Sequence, residues 1–176
     1  PHLIGGFFMS KLETVYEIYK YSLGVNTDSR TLKEEQIFIA LKGDNFNGNK
    51  FAKNAIDQGA AAVICDEDQD FAHHKLFKVN DSLQFLQDLA NYHRKQCTAT
   101  FIGITGSNGK TTTKELLRDV LSTTFKTQAT KGNFNNHIGV PLTLLEVKPD
   151  TEMAIIEMGA NHQKEIEALC KIAEPD

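Results

Sequence analysis

Apolar positions along the chain alternate between short runs and helical stripes. Ser10 and Glu13 form an S-x-x-E pattern, in which two side chains satisfy the free N–H groups of a helix start. Behind it Leu12, Val15, Tyr16, Tyr19 and Leu23 share one helical face, which Gly24 ends. The polar stretch DSRTLKEEQ precedes QIFIAL (36–41), a run suited to a buried strand, and KGDNFNGNK then reads as a turn-rich loop. Phe51, Ala52, Ala55 and Ile56 give a short helical face that stops at Gly59; AAAVIC (60–65) and LFKV (76–79) read as strands. Asp81 or Ser82 caps a helix carrying Leu83, Leu86, Leu89, Ala90 and His93.

A second alternation follows CTAT (97–100). The strand FIGIT leads through a glycine loop into a helix with Leu116, Leu117, Val120 and Leu121; FKTQAT (125–130) reads as a strand. A polar loop, TKGNFNNHIGVP (130–141), precedes the short helical run PLTLLE, the strand MAIIEM (153–158), and a last helix with Ile166, Leu169, Cys170 and Ala173 on one side. Alternation of strands and helices predicts an α/β fold with parallel sheets. The expected organisation is one α/β domain over 9–98 and the start of a second, parallel-sheet domain over 99–176. The second has about three strands where such sheets usually have five or six, so the chain reads as truncated within that domain. Residues 1–8, PHLIGGFF, precede Met9-Ser10 and read as a vector-derived or disordered segment rather than a signal peptide, because they carry no basic n-region.

Composition narrows the function classes. The net charge of −4 leaves no basic field to displace the counterions of a nucleic acid. No apolar run approaches the roughly 20 residues that span a bilayer. The three cysteines, Cys65, Cys97 and Cys170, are scattered and form no metal-binding pattern, which fits reduced thiols in the cytoplasm.

The chemistry concentrates in TGSNGKTT. Gly106 and Gly109 let the backbone turn so that the N–H groups around Ser107 and Asn108 face phosphate oxygens, and the helix that follows adds its positive end. Lys110 supplies a point charge to the phosphates, with Thr112 beside it, and the Thr111 hydroxyl suits Mg²⁺. The common spacing GxxxxGK[ST] asks for glycine where Ile104 stands, so the loop departs from that form. Glu157 ends the strand MAIIE and is a second candidate Mg²⁺ ligand, although strand-end carboxylates often simply face solvent. Asn135, Asn136 and His137 suit hydrogen bonds to a polar ligand, and equally suit turn chemistry. Arg30 and Lys42 lie in loops flanking a strand and either meet a diphosphate or are ordinary surface charge.

These residues resemble the Mur ligases, ATP-dependent amide-forming enzymes of peptidoglycan precursor synthesis. The family's phosphate loop is TGxxGKT, which accounts for the displaced glycine. The resemblance extends to DSR…IFIALKGDNFNGNKFAKNAIDQGAAAVI, ATKGNFNNHIGVPLTLL and AIIEMGANHQKEI, and is greatest to the branch that adds D-Ala-D-Ala to UDP-N-acetylmuramoyl-tripeptide. It implies a first domain binding the UDP part of the substrate, a second acting as a P-loop ATPase, and a third that closes the site. Carried over, Ser29, Arg30, Lys42 and Gly43 lie at the UDP-sugar site. Gly106, Ser107, Asn108, Gly109, Lys110, Thr111 and Thr112 bind ATP, and Thr111 and Glu157 hold Mg²⁺. Lys110, Asn135 and His137 serve catalysis, with Asn135 and Asn136 also meeting the substrate. The family often has aspartate where Asn47 stands, so no role passes to that residue. The expected state is a cytoplasmic monomer; the resemblance implies that the fragment is inactive by itself, and its incomplete second sheet leaves an edge open to pairing with another copy. Three other readings stay open: a sister ligase, a non-catalytic UDP-sugar module, and a generic phosphate-loop kinase or GTPase.

Overall fold

The computed structural model describes residues 3, 4 and 7–176, with side chains from Met9 onward. Contacts group the chain into two compact units, one up to Leu86 and one from Gln87 to Asp176. The division falls inside a helix, earlier than the 98/99 join expected from the sequence. The reading of residues 1–8 falls largely outside the described residues; the backbone there forms β1 (Leu3–Ile4) and β2 (Phe7–Phe8), paired antiparallel.

In the first unit α1 (Lys11–Tyr19) begins at the expected capping box: Ser10 Oγ accepts from Glu13 N at 3.2 Å and Glu13 Oε2 from Ser10 N at 2.7 Å. The helix ends before Leu23. Tyr21 N and Ser22 N donate three residues back, to Ile18 and Tyr19, so the chain tightens into a turn and Leu23 is left 63% exposed. Strands β3 (Val25–Asn26) and β4 (Ile37–Ile39) follow. The stretch expected to be a loop contains a small hairpin, β5 (Lys42–Gly43) with β6 (Phe46–Asn47), before a single 3₁₀ turn (Gly48–Phe51) and α2 (Ala52–Asp57). Then come β7 (Ala62–Cys65), β8 (Leu76–Lys78) and α3 (Ser82–Gln96), where the Asp81 carboxylate accepts from Gln84 N at 2.9 Å. The sheet order β3-β4-β7-β8 is parallel throughout. Its middle strands are buried on both faces, which is why Ile37–Ile39 and Ala62–Cys65 are uninterrupted apolar runs.

The second unit carries β9 (Thr100–Ile104), α4 (Lys110–Leu121), β10 (Thr127–Ala129), α5 (Gly139–Leu144), β11 (Met153–Glu157) and α6 (Glu165–Ala173). Its three strands are parallel in the order β10-β11-β9, with Glu157 opposite Ile104. Because all three run the same way, the glycine loop, the 130–138 loop and Glu157 emerge at one rim, where ligands collect in open α/β sheets. The core gathers Phe101, Leu144, Ile155, Ile156 and Met158. Of the four apolar residues on α4, Leu116 and Val120 are 63% and 66% exposed, while Lys114 is fully buried. The packed side of α4 faces the sheet through Lys114 and the half-buried Leu117 and Leu121.

Candidate functional site

Gly109 caps the start of α4 with φ +78°, a left-handed conformation that side chains resist, so glycine here is what allows the tight entry from β9 into the helix. Gly106, Ser107, Asn108, Thr111 and Thr112 are exposed around this turn, open to a ligand at the positive end of a 12-residue helix. Lys110 Nζ donates to Gly106 O at 2.7 Å, so the lysine folds back over the loop's own mouth.

One turn of helix brings Thr111 against the end of β11. Thr111 Oγ1 donates to Glu157 Oε1 at 3.2 Å, and Asn135 Nδ2 donates to the same oxygen at 2.8 Å. The backbone of Glu157 is held from behind, its N–H donating to Thr130 Oγ1 at 2.9 Å. Glu157 is 1% exposed, and its other oxygen, Oε2, makes no hydrogen bond. Lys114 Nζ stands 3.6 Å from that oxygen and 3.1 Å from Glu115 Oε1, and donates to Gly132 O at 3.4 Å.

These donors fit Mg²⁺. A hydroxyl and a carboxylate are hard oxygen ligands 3.2 Å apart, and the second, buried carboxylate oxygen has no hydrogen bond to give up when a metal arrives. Two protein ligands suit this ion, which keeps most of its shell as water and phosphate oxygen. Among the described residues no group of three or more His, Cys, Asp or Glu side chains forms a metal centre.

The structure therefore brings together Thr111, Asn135 and Glu157 of the expected site. Asn136 does something else: its Oδ1 accepts from Ile138 N at 3.1 Å and Gly139 N at 2.8 Å, which starts α5. His137 is exposed, and its carbonyl accepts from Gln87 Nε2 at 3.1 Å. Lys114 and Thr130 were not anticipated. Lys114 follows Thr111 by three residues and so shares its helical face, a spacing that marks it in retrospect.

In the first unit Ser29 and Arg30 lie in the loop after β3, and Lys42 and Gly43 form β5, just past the end of β4. Ser29 is buried. Arg30 closes on Asp28, with Nη2 at 2.7 Å from Oδ2, and its hydrogen bonds hold the Asp28 carboxyl down at about 2. Lys42 stands 3.1 Å from Asp66 and 3.6 Å from Glu67, and Gly43 beside it is exposed. Burial pushes the Asp66 carboxyl up, but hydrogen bonds from Asn49 and Lys42 outweigh it and set the net shift downward. Asn47 and Asn49 complete this network: Asn49 Nδ2 reaches Asp66 Oδ1 at 2.8 Å, and Asn47 Nδ2 reaches Glu67 Oε2 at 3.0 Å. Both candidate phosphate-binding cations are thus carried opposite carboxylates.

Two family models match in succession: the Mur ligase family catalytic domain over residues 23–94, and the Mur ligase middle domain over residues 104–176. The UDP-N-acetylmuramoyl-tripeptide--D-alanyl-D-alanine ligase of Bacillus subtilis is 44% identical over 155 residues, covering 87% of this chain and 34% of the relative. The Escherichia coli protein of the same name is 40% identical over 152 residues, covering 86% and 33%. The structure of the Thermotoga maritima MurF ligase in complex with ADP superposes with a TM-score of 0.80 at 33% identity, covering 95% of this chain and 37% of that one. The chain thus spans about a third of the length of the curated relatives it matches. With two successive Mur ligase segments and relatives at about 40% identity along most of its length, the chain belongs to the Mur ligase family.

Proposed function

We propose that this chain supplies the UDP-substrate unit and the beginning of the ATPase unit of a cytoplasmic, monomeric ligase that joins D-Ala-D-Ala to UDP-N-acetylmuramoyl-tripeptide. The observation that carries the reading is the contact of Thr111 and Asn135 with the buried Glu157 at the mouth of the glycine loop. A decayed loop would have no reason to keep a buried carboxylate hydrogen-bonded to the hydroxyl that follows its lysine. The names of the relatives supply the substrates.

In this reading the N–H groups from Gly106 to Thr111 cradle the ATP phosphates, and Lys110 swings from Gly106 O to the transferring phosphoryl group. Thr111 and Glu157 would hold Mg²⁺, whose chemistry is to offset the charge of the phosphates. Asn135 fixes the rotamer of Glu157. The tripeptide carboxylate attacks the γ-phosphate to give an acyl phosphate and ADP. The amine of D-Ala-D-Ala then attacks the activated carbonyl, forming the amide and releasing phosphate. Asn135, Asn136 and His137 meet the reacting carboxylate, Asn136 through its amide Nδ2, because its Oδ1 is held by Ile138 N and Gly139 N. Ser29, Arg30, Lys42 and Gly43 take the UDP, with Arg30 and Lys42 exchanging their carboxylates for the diphosphate.

Calorimetric titration with UDP-N-acetylmuramoyl-tripeptide tests the first half. Binding that Arg30→Ala weakens about tenfold, the loss of one charge-assisted contact, is the expected outcome. Binding that Arg30→Ala and Lys42→Ala both leave unchanged removes the residue assignment. ADP binding that Lys110→Ala does not weaken removes the nucleotide half.

A further inference from the structure

A lysine with no exposed surface needs a reason, because burying an ammonium is costly unless its partners are close. Lys114 has three: the Glu157 carboxylate at 3.6 Å, the Glu115 carboxylate at 3.1 Å and the Gly132 carbonyl at 3.4 Å. The first of these is also the candidate metal ligand. The oxygen nearest Lys114, Oε2, is the one without a hydrogen bond; Oε1 is held by Thr111 and Asn135. An ammonium therefore already stands where a cation would be drawn to the free oxygen, at ion-pair distance but too far for a hydrogen bond.

We infer that Lys114 is a positioning residue that makes divalent-cation binding at Thr111–Glu157 conditional on a bound nucleotide. The inference rests on the nucleotide site proposed above and adds an order of events to it. Without nucleotide, the Lys114 ammonium balances Glu157, and a dication brought to the same carboxylate meets a like charge. Phosphate oxygens at the glycine loop bring the negative charge that reverses the balance, so metal and nucleotide enter together. The link to Gly132 extends the effect, because the loop that carries Asn135 is anchored to the same ammonium.

The size follows from charge alone. A unit charge ~5 Å from a dication repels it by enough to change affinity about tenfold even at the dielectric constant of water. Lys114→Gln removes the charge and keeps a donor toward Glu157; Lys114→Arg keeps the charge. Mn²⁺ serves as the hard-ion probe, its binding to the 176-residue chain followed by electron paramagnetic resonance without nucleotide. The parent is expected to bind Mn²⁺ weakly, Lys114→Gln about tenfold more tightly or better, and Lys114→Arg like the parent. ADP affinity is then compared in Mn²⁺ and in EDTA, after correction for chelation in solution. By linkage the Mn²⁺ enhancement of ADP binding equals the ADP enhancement of Mn²⁺ binding, so it falls by the same factor in Lys114→Gln when the ADP-bound variant holds Mn²⁺ as tightly as the ADP-bound parent does, which is the expected outcome.

Parent and Lys114→Gln binding Mn²⁺ equally well while both bind ADP overturns the inference and leaves the nucleotide site standing. A parent chain that binds Mn²⁺ as tightly without ADP as with it overturns the inference with no variant needed. A parent that binds no ADP under either condition removes the nucleotide site and the inference together.

Discussion

The ion pair between Lys114 and Glu157 gives a double-mutant cycle with a calculable outcome. At 3.6 Å and an effective dielectric constant of about 20, two unit charges attract by about 4–5 kcal/mol. Both side chains are almost completely shielded from solvent, at 0% and 2% exposure, so surface screening does not erase this. Glu157→Gln preserves the acceptor for Thr111 and Asn135 but leaves the ammonium with Glu115 and Gly132 only. Lys114→Met leaves the carboxylate buried and charged with no cation. Each single change is expected to cost about 3 kcal/mol, in the range seen when one partner of a buried pair is removed. The double variant buries no charge and is expected to cost well under the sum, giving a coupling energy of about 2 kcal/mol or more. Because the chain has two units, urea unfolding by circular dichroism is combined with hydrogen exchange in peptides covering 100–104 and 153–157, which report the second unit. Additivity within about 0.5 kcal/mol refutes the claim that these charges stabilise each other, and with it the electrostatic premise of conditional metal binding.

Further outcomes follow from the same geometry. Gly139→Ala places a Cβ 2.4 Å from the Phe134 carbonyl carbon and 2.5 Å from its Cα. The backbone must move, at a cost of about 1–3 kcal/mol, and ADP–Mn²⁺ binding weakens as Asn135 is displaced; unchanged stability by urea denaturation contradicts this. His93 is buried on α3 with Nε2 2.9 Å from Val147 O, and burial lowers its pKa from the ordinary 6.5, with the Val147 hydrogen bond opposing. The unfolded chain therefore takes up a proton before the folded one, so this contribution is complete above about pH 6.5 and declines as pH falls from there toward the folded value. His93→Gln should flatten that part of the stability profile in urea titrations from pH 7.5 to 5, and an unaltered slope rules the assignment out. Thr111→Val keeps the helix packed but removes the hydroxyl, and should lower the Mn²⁺ enhancement of ADP binding while leaving ADP affinity in EDTA within about twofold; equal losses in both conditions contradict a metal-specific role.

Much of this architecture was legible in the sequence, for local reasons. The capping box at Ser10 and Glu13 is a short-range exchange of hydrogen bonds, so its signature survives any tertiary context. Ile37–Ile39 and the first four residues of β11, Met153 to Ile156, announced themselves because strands buried on both faces are apolar without interruption. Thr111 and Glu157 were legible from position, one at a helix start and one at a strand end. Their meeting required the register that places Glu157 opposite Ile104, which no local pattern encodes. Lys114 was missed because periodicity says which residues of a helix share a face, not which face is covered. The leucine and valine at 116 and 120 made the better apolar stripe, yet the sheet lies against the side with the lysine. Asn136 went the other way: its turn chemistry, held open beside a binding role, is what the structure displays.

The parallel order β10-β11-β9 divides the second unit into a working rim and a plain one. The nucleotide and metal residues argued above, Gly106 to Thr111, Asn135 and Glu157, sit where the strands end. Before β11, once Val147 has met His93, the chain simply turns: Lys148 N meets Thr151 Oγ1 at 3.2 Å, Thr151 N returns to Lys148 O at 3.0 Å, and positions 148–150 face solvent. That turn is a handle. A fluorophore on a cysteine placed at Pro149, or a short affinity tag inserted beside it, would report on or immobilise the molecule while leaving the glycine loop and Glu157 undisturbed. An experimenter thus has one side to hold the protein by and another to watch it work.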